Sequence, residues 1–91
     1  MIFFLTQTAG APNRKYMWSV ILGSAVAQAC HLHVHSNIAT TGPLDFDANV
    51  GAPSTTTGGF KIGSNHTAIC EATATFADGT VLQATESITI P

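Results

Sequence analysis

Charge is scarce in this chain of 91 residues. Charged side chains make up 9% of it, against roughly 25% in an average soluble domain. The three basic residues, Arg14, Lys15 and Lys61, form no cluster large enough to hold a phosphate backbone, and the net charge is −2. Nucleic acid is therefore not an expected partner. The apolar run from Tyr16 to Val26 falls short of the ~20 residues a membrane-spanning helix needs. Neither a CxxC pair nor a glycine-rich phosphate loop is present, so the commonest signals for dithiol chemistry and nucleotide binding are missing. Two cysteines, Cys30 and Cys70, are too few for a disulfide framework, and too few alone for a structural zinc site. No internal repeat divides the sequence, which reads as one domain over residues 1–91.

Hydrophobic residues make up 45% of the chain, enough for a core. A domain of this size buries only about 60–65% of its unfolded surface, so it is marginally stable alone. Alanine, threonine, serine and glycine fill most other positions, as suits closely packed strands. A surface so poor in charge is poorly soluble by itself. Cover by protein partners, in a homo- or hetero-oligomeric assembly, is the expected remedy.

The N-terminal run Ile2-Phe3-Phe4-Leu5-Thr6-Gln7-Thr8 is β-prone and ends in the turn cluster Ala9-Gly10-Ala11-Pro12-Asn13. It reads as an N-terminal arm or strand within residues 1–15. Ile2, Phe3, Phe4 and Leu5 form an apolar edge able to augment a neighbour's sheet. Tyr16 to Leu22 reads as a second strand, rich in aromatic and β-branched residues. A competing reading covers the same region. Asn13-Arg14-Lys15 resembles the basic start of a bacterial secretory signal, Tyr16 to Val26 its apolar stretch, and Ala27-Gln28-Ala29 a cleavage site. Cys30 then stands where a lipoprotein cysteine lies, although Ala27 replaces the usual leucine.

Residues 66–90 read as a C-terminal β-hairpin around Ala77-Asp78-Gly79. Ala68, Cys70, Ala72, Ala74 and Phe76 share one face of its first strand, and Thr67, Ile69, Glu71, Thr73 and Thr75 the other. Leu82, Ala84, Ile88 and Ile90 alternate in the same way with Gln83, Thr85, Ser87 and Thr89. A two-residue Asp-Gly loop sets Glu71 opposite Glu86, and like charges directly opposed are unfavourable. A three-residue loop with Gly79 left-handed pairs even positions with even and puts both apolar sets on one face. The three-residue loop is predicted. Glu86 is the misfit on the apolar face and belongs near a sheet edge or across an interface. The intervening stretch is turn-rich, with short strands expected at Leu44 to Val50 and at Phe60-Lys61-Ile62, separated by a flexible Ser/Thr/Gly loop.

The segment "AICEATATFADGTVLQATESITI" looks like the last hairpin of bacterial and phage immunoglobulin-like domains, a resemblance covering about the last quarter of the chain. It implies a small antiparallel, immunoglobulin-like β-sandwich, in an all-β fold class. In such folds an inter-sheet disulfide joins an early strand to the penultimate one, a role the resemblance gives to Cys30 and Cys70. That bridge would close a loop of roughly forty residues, stabilise by ~3–4 kcal/mol and imply an oxidising compartment. The chain departs from the pattern in placing Trp18 upstream of Cys30, and Ala68 where a tyrosine corner puts Tyr.

The chemistry-bearing stretch is "ACHLHVHS". On a strand Cys30, Leu32 and Val34 point one way and His31, His33 and His35 the other. Successive imidazoles then lie about 6.5–7 Å apart, and neighbours can share a transition-metal ion. The H-x-H pattern resembles the motif with which trimeric phage spikes and fibres ring a metal on a three-fold axis. A cupin site would need a glutamate a few residues on, and none comes before Glu71. The simplest reading is the wet face of an ordinary strand; a metal site and a pH-sensitive contact are the others. His66 reads as a loop residue. Asp45 and Asp47 alternate in "LDFDAN" but, as two carboxylates without a partner, read as solvated. Cys30 as a nucleophile lacks a residue placed to orient a base. Asn65-His66-Thr67 is a glycosylation sequon, meaningful only in a secreted eukaryotic protein.

These observations converge on a non-enzymatic structural or interaction protein, a subunit of a large assembly such as a phage virion decoration or tail protein. The expected location is the virion, with no cofactor. The alternative is a secreted or lipid-anchored module that holds copper or zinc through His31, His33 and His35, with residues 1–29 as its signal peptide.

Overall fold

Runs of β-branched, aromatic and small residues with period-two alternation favour strands throughout this chain. A computed structural model describes residues 1–10, 14–23, 29–37, 45–51, 54–63 and 66–90. Among them lie seven strands and no helix: β1 (Ile2–Ala9), β2 (Arg14–Leu22), β3 (Ala29–Ser36), β4 (Asp45–Gly51), β5 (Ser54–Ile62), β6 (His66–Phe76) and β7 (Val81–Ile90). Sheet A has three strands in the order β1-β2-β5, and sheet B has four in the order β4-β3-β6-β7. All five pairings are antiparallel. The all-β antiparallel sandwich expected from the sequence is the observed architecture.

The core forms where the inward sides meet. Sheet A supplies Phe3, Trp18, Val20, Leu22, Phe60 and Ile62, mostly large side chains. Sheet B answers with Cys30, Leu32 and Val34 from β3, and with Ala68, Cys70, Ala72, Ala74 and Phe76 from β6. Large residues opposite small ones let two sheets interdigitate at the ~10 Å spacing of packed sheets. Trp18 on β2 bridges to Phe46 on β4, with ring centroids 5.1 Å apart and planes inclined by 55°. Trp18 also lies over its register partner Gly58, where an added Cβ would come within 2.6 Å of three ring atoms.

The β6–β7 hairpin has the predicted loop. Thr75 pairs with Val81, the Phe76 N–H donates to Thr80 O at 2.9 Å, and the Gly79 N–H donates to Phe76 O at 3.0 Å. Gly79 has φ of 90°, the left-handed region that a side chain disfavours. Even positions therefore face the core, and Glu86 is exposed on the edge strand β7.

Several expectations are corrected. The Ser/Thr/Gly stretch read as a flexible loop is most of β5, because Thr55, Thr56 and Thr57 favour strand and Trp18 covers Gly58. Of the two readings of the N-terminal run, arm or strand, the strand is observed: β1 pairs with β2 from Ile2↔Ile21 to Ala9↔Lys15. Phe3, expected at an interface, is buried in the core, and Leu5 packs against it; only Ile2 and Phe4 point outward. The cysteines do not pair. Both are free and buried, and they lie on neighbouring strands of one sheet. Cys70 stands opposite Ser36, six positions along β3 from Cys30. At about 3.3 Å per residue that offset is about 20 Å, far beyond the ~7 Å Cα separation a disulfide tolerates. The reason is a shift in strand count. β1 and β2 precede the cysteine strand, so Cys30 sits on the third strand, where immunoglobulin domains carry their tryptophan, and Trp18 sits on the second.

Candidate functional site

β3 lies between β4 and β6 in sheet B, so its outward side chains have neighbours on both flanks. Alternation sends Cys30, Leu32 and Val34 inward and His31, His33 and His35 to the outer face. Register then decides what the histidines meet. On the β4 side, His31, His33 and His35 stand opposite Asn49, Asp47 and Asp45. On the β6 side they stand opposite Thr75, Thr73 and Glu71. The two aspartates that look solvated in the sequence are thus half of a histidine–carboxylate face.

The two pairs with the β4 carboxylates run diagonally across the ladder, whereas Asn49 and Glu71 stand directly opposite the histidines they meet. His31 Nε2 lies 2.5 Å from Asp47 Oδ1, His33 Nε2 2.6 Å from Asp45 Oδ1, and His35 Nε2 3.9 Å from Glu71 Oε2. His31 Nδ1 lies 3.1 Å from Asn49 Oδ1. The rings of His33 and His35 stack with centroids 4.9 Å apart, and His35 Nδ1 is buried without a hydrogen-bond partner. Both nitrogens of His31 face acceptors, which favours the doubly protonated ring. Its pKa is raised above the ordinary 6.5, first by the hydrogen bond to Asn49, then by the charge of Asp47 and the hydrogen bond to it. The ion-paired side chains are all at least two-fifths exposed, so water screens the pairs and they set the charge of the face more than the stability of the fold.

Chemically, the nitrogens and oxygens of such a face suit a transition metal. Among the described residues no three His, Cys, Asp or Glu side chains gather around one point as the ligands of a metal ion do. Asp47 touches His31 and stands opposite His33, and Asp45 touches His33 and stands opposite His35. His66 begins β6, opposite Ile90 and five positions from Glu71, away from the row. The sequon's Asn65 lies outside the described residues. The thiols of Cys30 and Cys70 point into the core, and burial pushes both up, a hydrogen bond with Ser36 partly opposing this at Cys70. A nucleophilic thiolate needs the opposite shift.

Sequence reasoning found the histidines and missed Asp45, Asp47, Asn49 and Glu71 as their partners. A signal existed: D-x-D-x-N in "DFDAN" has the same period as H-x-H-x-H, and two such runs on adjacent strands share a face only in one parity of register. Comparison with protein families, curated proteins and solved structures finds no match to this chain. Among the described residues no helix is long and apolar enough to cross a membrane.

Proposed function

We propose that this protein is a non-enzymatic structural or interaction module, a subunit of a larger assembly such as a virion decoration or tail protein. One observation carries the reading: the outer face of sheet A, on the side away from the core, exposes large apolar side chains. Ile2 and Phe4 are 60% and 39% exposed there. Ile2 pairs directly with Ile21, and Phe4 and Met17 lie farther along the same face, beside Ser19 and Thr6. Exposed apolar strips rimmed by polar residues are typical of protein contacts. β1 is also an edge strand, whose free hydrogen-bonding side can accept another strand.

The signal-peptide alternative is less well supported. Removing residues 1–29 takes away β1 and β2 and leaves β5 alone to cover the inward side of sheet B. The test is the size of the chain in native extract. It is expected to elute in a particle well above monomer mass, and an I2S/F4S variant to elute much smaller. Elution of the native chain as a monomer would refute the proposal.

A further inference from the structure

The three cationic and five acidic side chains all lie among the described residues, and they divide by sheet. Arg14, Lys15 and Lys61 belong to sheet A. Asp45, Asp47, Glu71 and Glu86 belong to sheet B, and Asp78 to the turn between its last two strands. The division extends to the outer faces. Lys15 and Lys61 stand directly opposite each other across β2 and β5, both exposed. Like charges so placed repel. They flank a shallow depression of about 410 Å³ beside Met17 and Thr57, where Gly59 has no side chain. The outer face of sheet B carries Asp45, Asp47 and Glu71, all exposed, around the histidine row. Both outer faces also carry exposed apolar groups, Ile2 and Phe4 on sheet A, Ile69 and Val81 on sheet B.

Three face pairings are open to two copies of this chain. Sheet A on sheet A opposes lysines, and sheet B on sheet B opposes carboxylates. Only sheet A on sheet B brings unlike charges together while covering apolar groups from both sides. The long principal extents of the molecule, 43 and 20 Å, describe a face comparable with the ~800 Å² per partner of a standard protein interface. We propose that the outer face of sheet A in one copy docks on the outer face of sheet B in a second, with Lys15 and Lys61 meeting Asp45, Asp47 and Glu71. This rests on the assembly reading above and names the partner as the chain itself. Such a contact uses two different surfaces of each copy, so every copy keeps one of each, and the copies build a ring or an open stack.

His31 tunes the contact. His31 faces Asp47 and Asn49, His33 faces Asp45 and, in register, Asp47 and Thr73, and His35 faces Glu71 and, in register, Asp45. A proton held by His31 beside Asp47 cancels one negative charge that the lysines need. Association therefore strengthens as pH rises through the titration of His31.

The test is sedimentation of the purified chain and of two charge-reversed variants, K15E/K61E and D45K/D47K. The wild-type chain is expected to gain mass with concentration in low salt. Its association constant should fall at least tenfold between about 20 mM and about 500 mM salt, as screening shortens the reach of the charges. Each variant alone should stay monomeric, and an equimolar mixture should regain the wild-type mass, because each then offers the face the other has lost. A melting curve for each variant shows that it is folded; should either unfold, K15Q/K61Q replaces it, with a weakened, less salt-dependent association expected. A wild-type chain that stays monomeric in low salt overturns the proposal, as do variants that associate like the wild type or a mixture that stays monomeric. If the purified chain is monomeric but the native chain travels in a large particle, the assembly reading survives with a different partner.

Discussion

Gly58 lies beneath the indole of Trp18, and its lack of a side chain is what lets the ring lie flat on the strand. A Cβ there would sit 2.6 Å from three indole atoms, whereas at Gly59 the nearest atom, Tyr16 O, is 3.5 Å away. Overpacking of this kind costs about 1–3 kcal/mol. Gly58→Ala is expected to lower the urea midpoint by that measure and Gly59→Ala to leave it nearly unchanged; equal midpoints would contradict the packing described. His31 gives a second expectation. Its pKa is raised in the folded chain, so its contribution to stability is fully present below the unfolded value of about 6.5 and is lost as pH rises through the folded value. His31→Gln is expected to be less stable than the wild type at pH 5.5 and equal to it at pH 8. The imidazole resonances of His31 should titrate above pH 6.5. Titration at or below that value removes the expectation.

Among the strands, the hairpin β6–β7 shows how much a local pattern can fix. Its parity follows from two facts in the sequence, the apolar alternation on both sides of the loop and the repulsion that the other register would place between Glu71 and Glu86. Gly79, with φ of 90°, supplies the left-handed residue, and Asp78 Oδ1 accepts the Thr80 N–H at 2.9 Å. Gly79→Ala keeps this register at a cost of roughly 1 kcal/mol, since a Cβ disfavours positive φ. Denaturant unfolding measures the loss, and unchanged stability would mean that the turn does not need the left-handed residue. β5 shows the opposite case. Three glycine or serine positions in nine residues resemble a loop when read alone. They form a strand because β2 offers a full ladder from Arg14↔Ile62 to Leu22↔Ser54 and an indole to cover Gly58.

The molecule as a whole has two unlike sides. Sheet A carries every lysine and arginine of the chain, and sheet B with its last turn every aspartate and glutamate. Neither side could be recognised along the chain, where Arg14 and Lys15 are separated from Lys61 by both aspartates of β4. The crossings from β2 to β3, from β4 to β5 and from β5 to β6 move successive strands between sheets, and these crossings sort the charges. The same sorting separates the cysteines: it places both in sheet B, on adjacent strands and six positions out of register.

Side-chain alternation along each strand was therefore legible beforehand. It is a local property, set by the period of two and by the cost of exposing Leu32, Val34 or Phe76 to water. The identity of the inward and outward faces on β3, β6 and β7, and the hairpin loop, follow from it. Strand partners do not. Asp47 meets His31 only because β4 lies beside β3 in one register, and Cys30 misses Cys70 because two strands precede it and the third falls in the same sheet as the sixth. Those pairings depend on which long-range contacts bury the most apolar surface at once, and that is settled by the two sheets closing on each other.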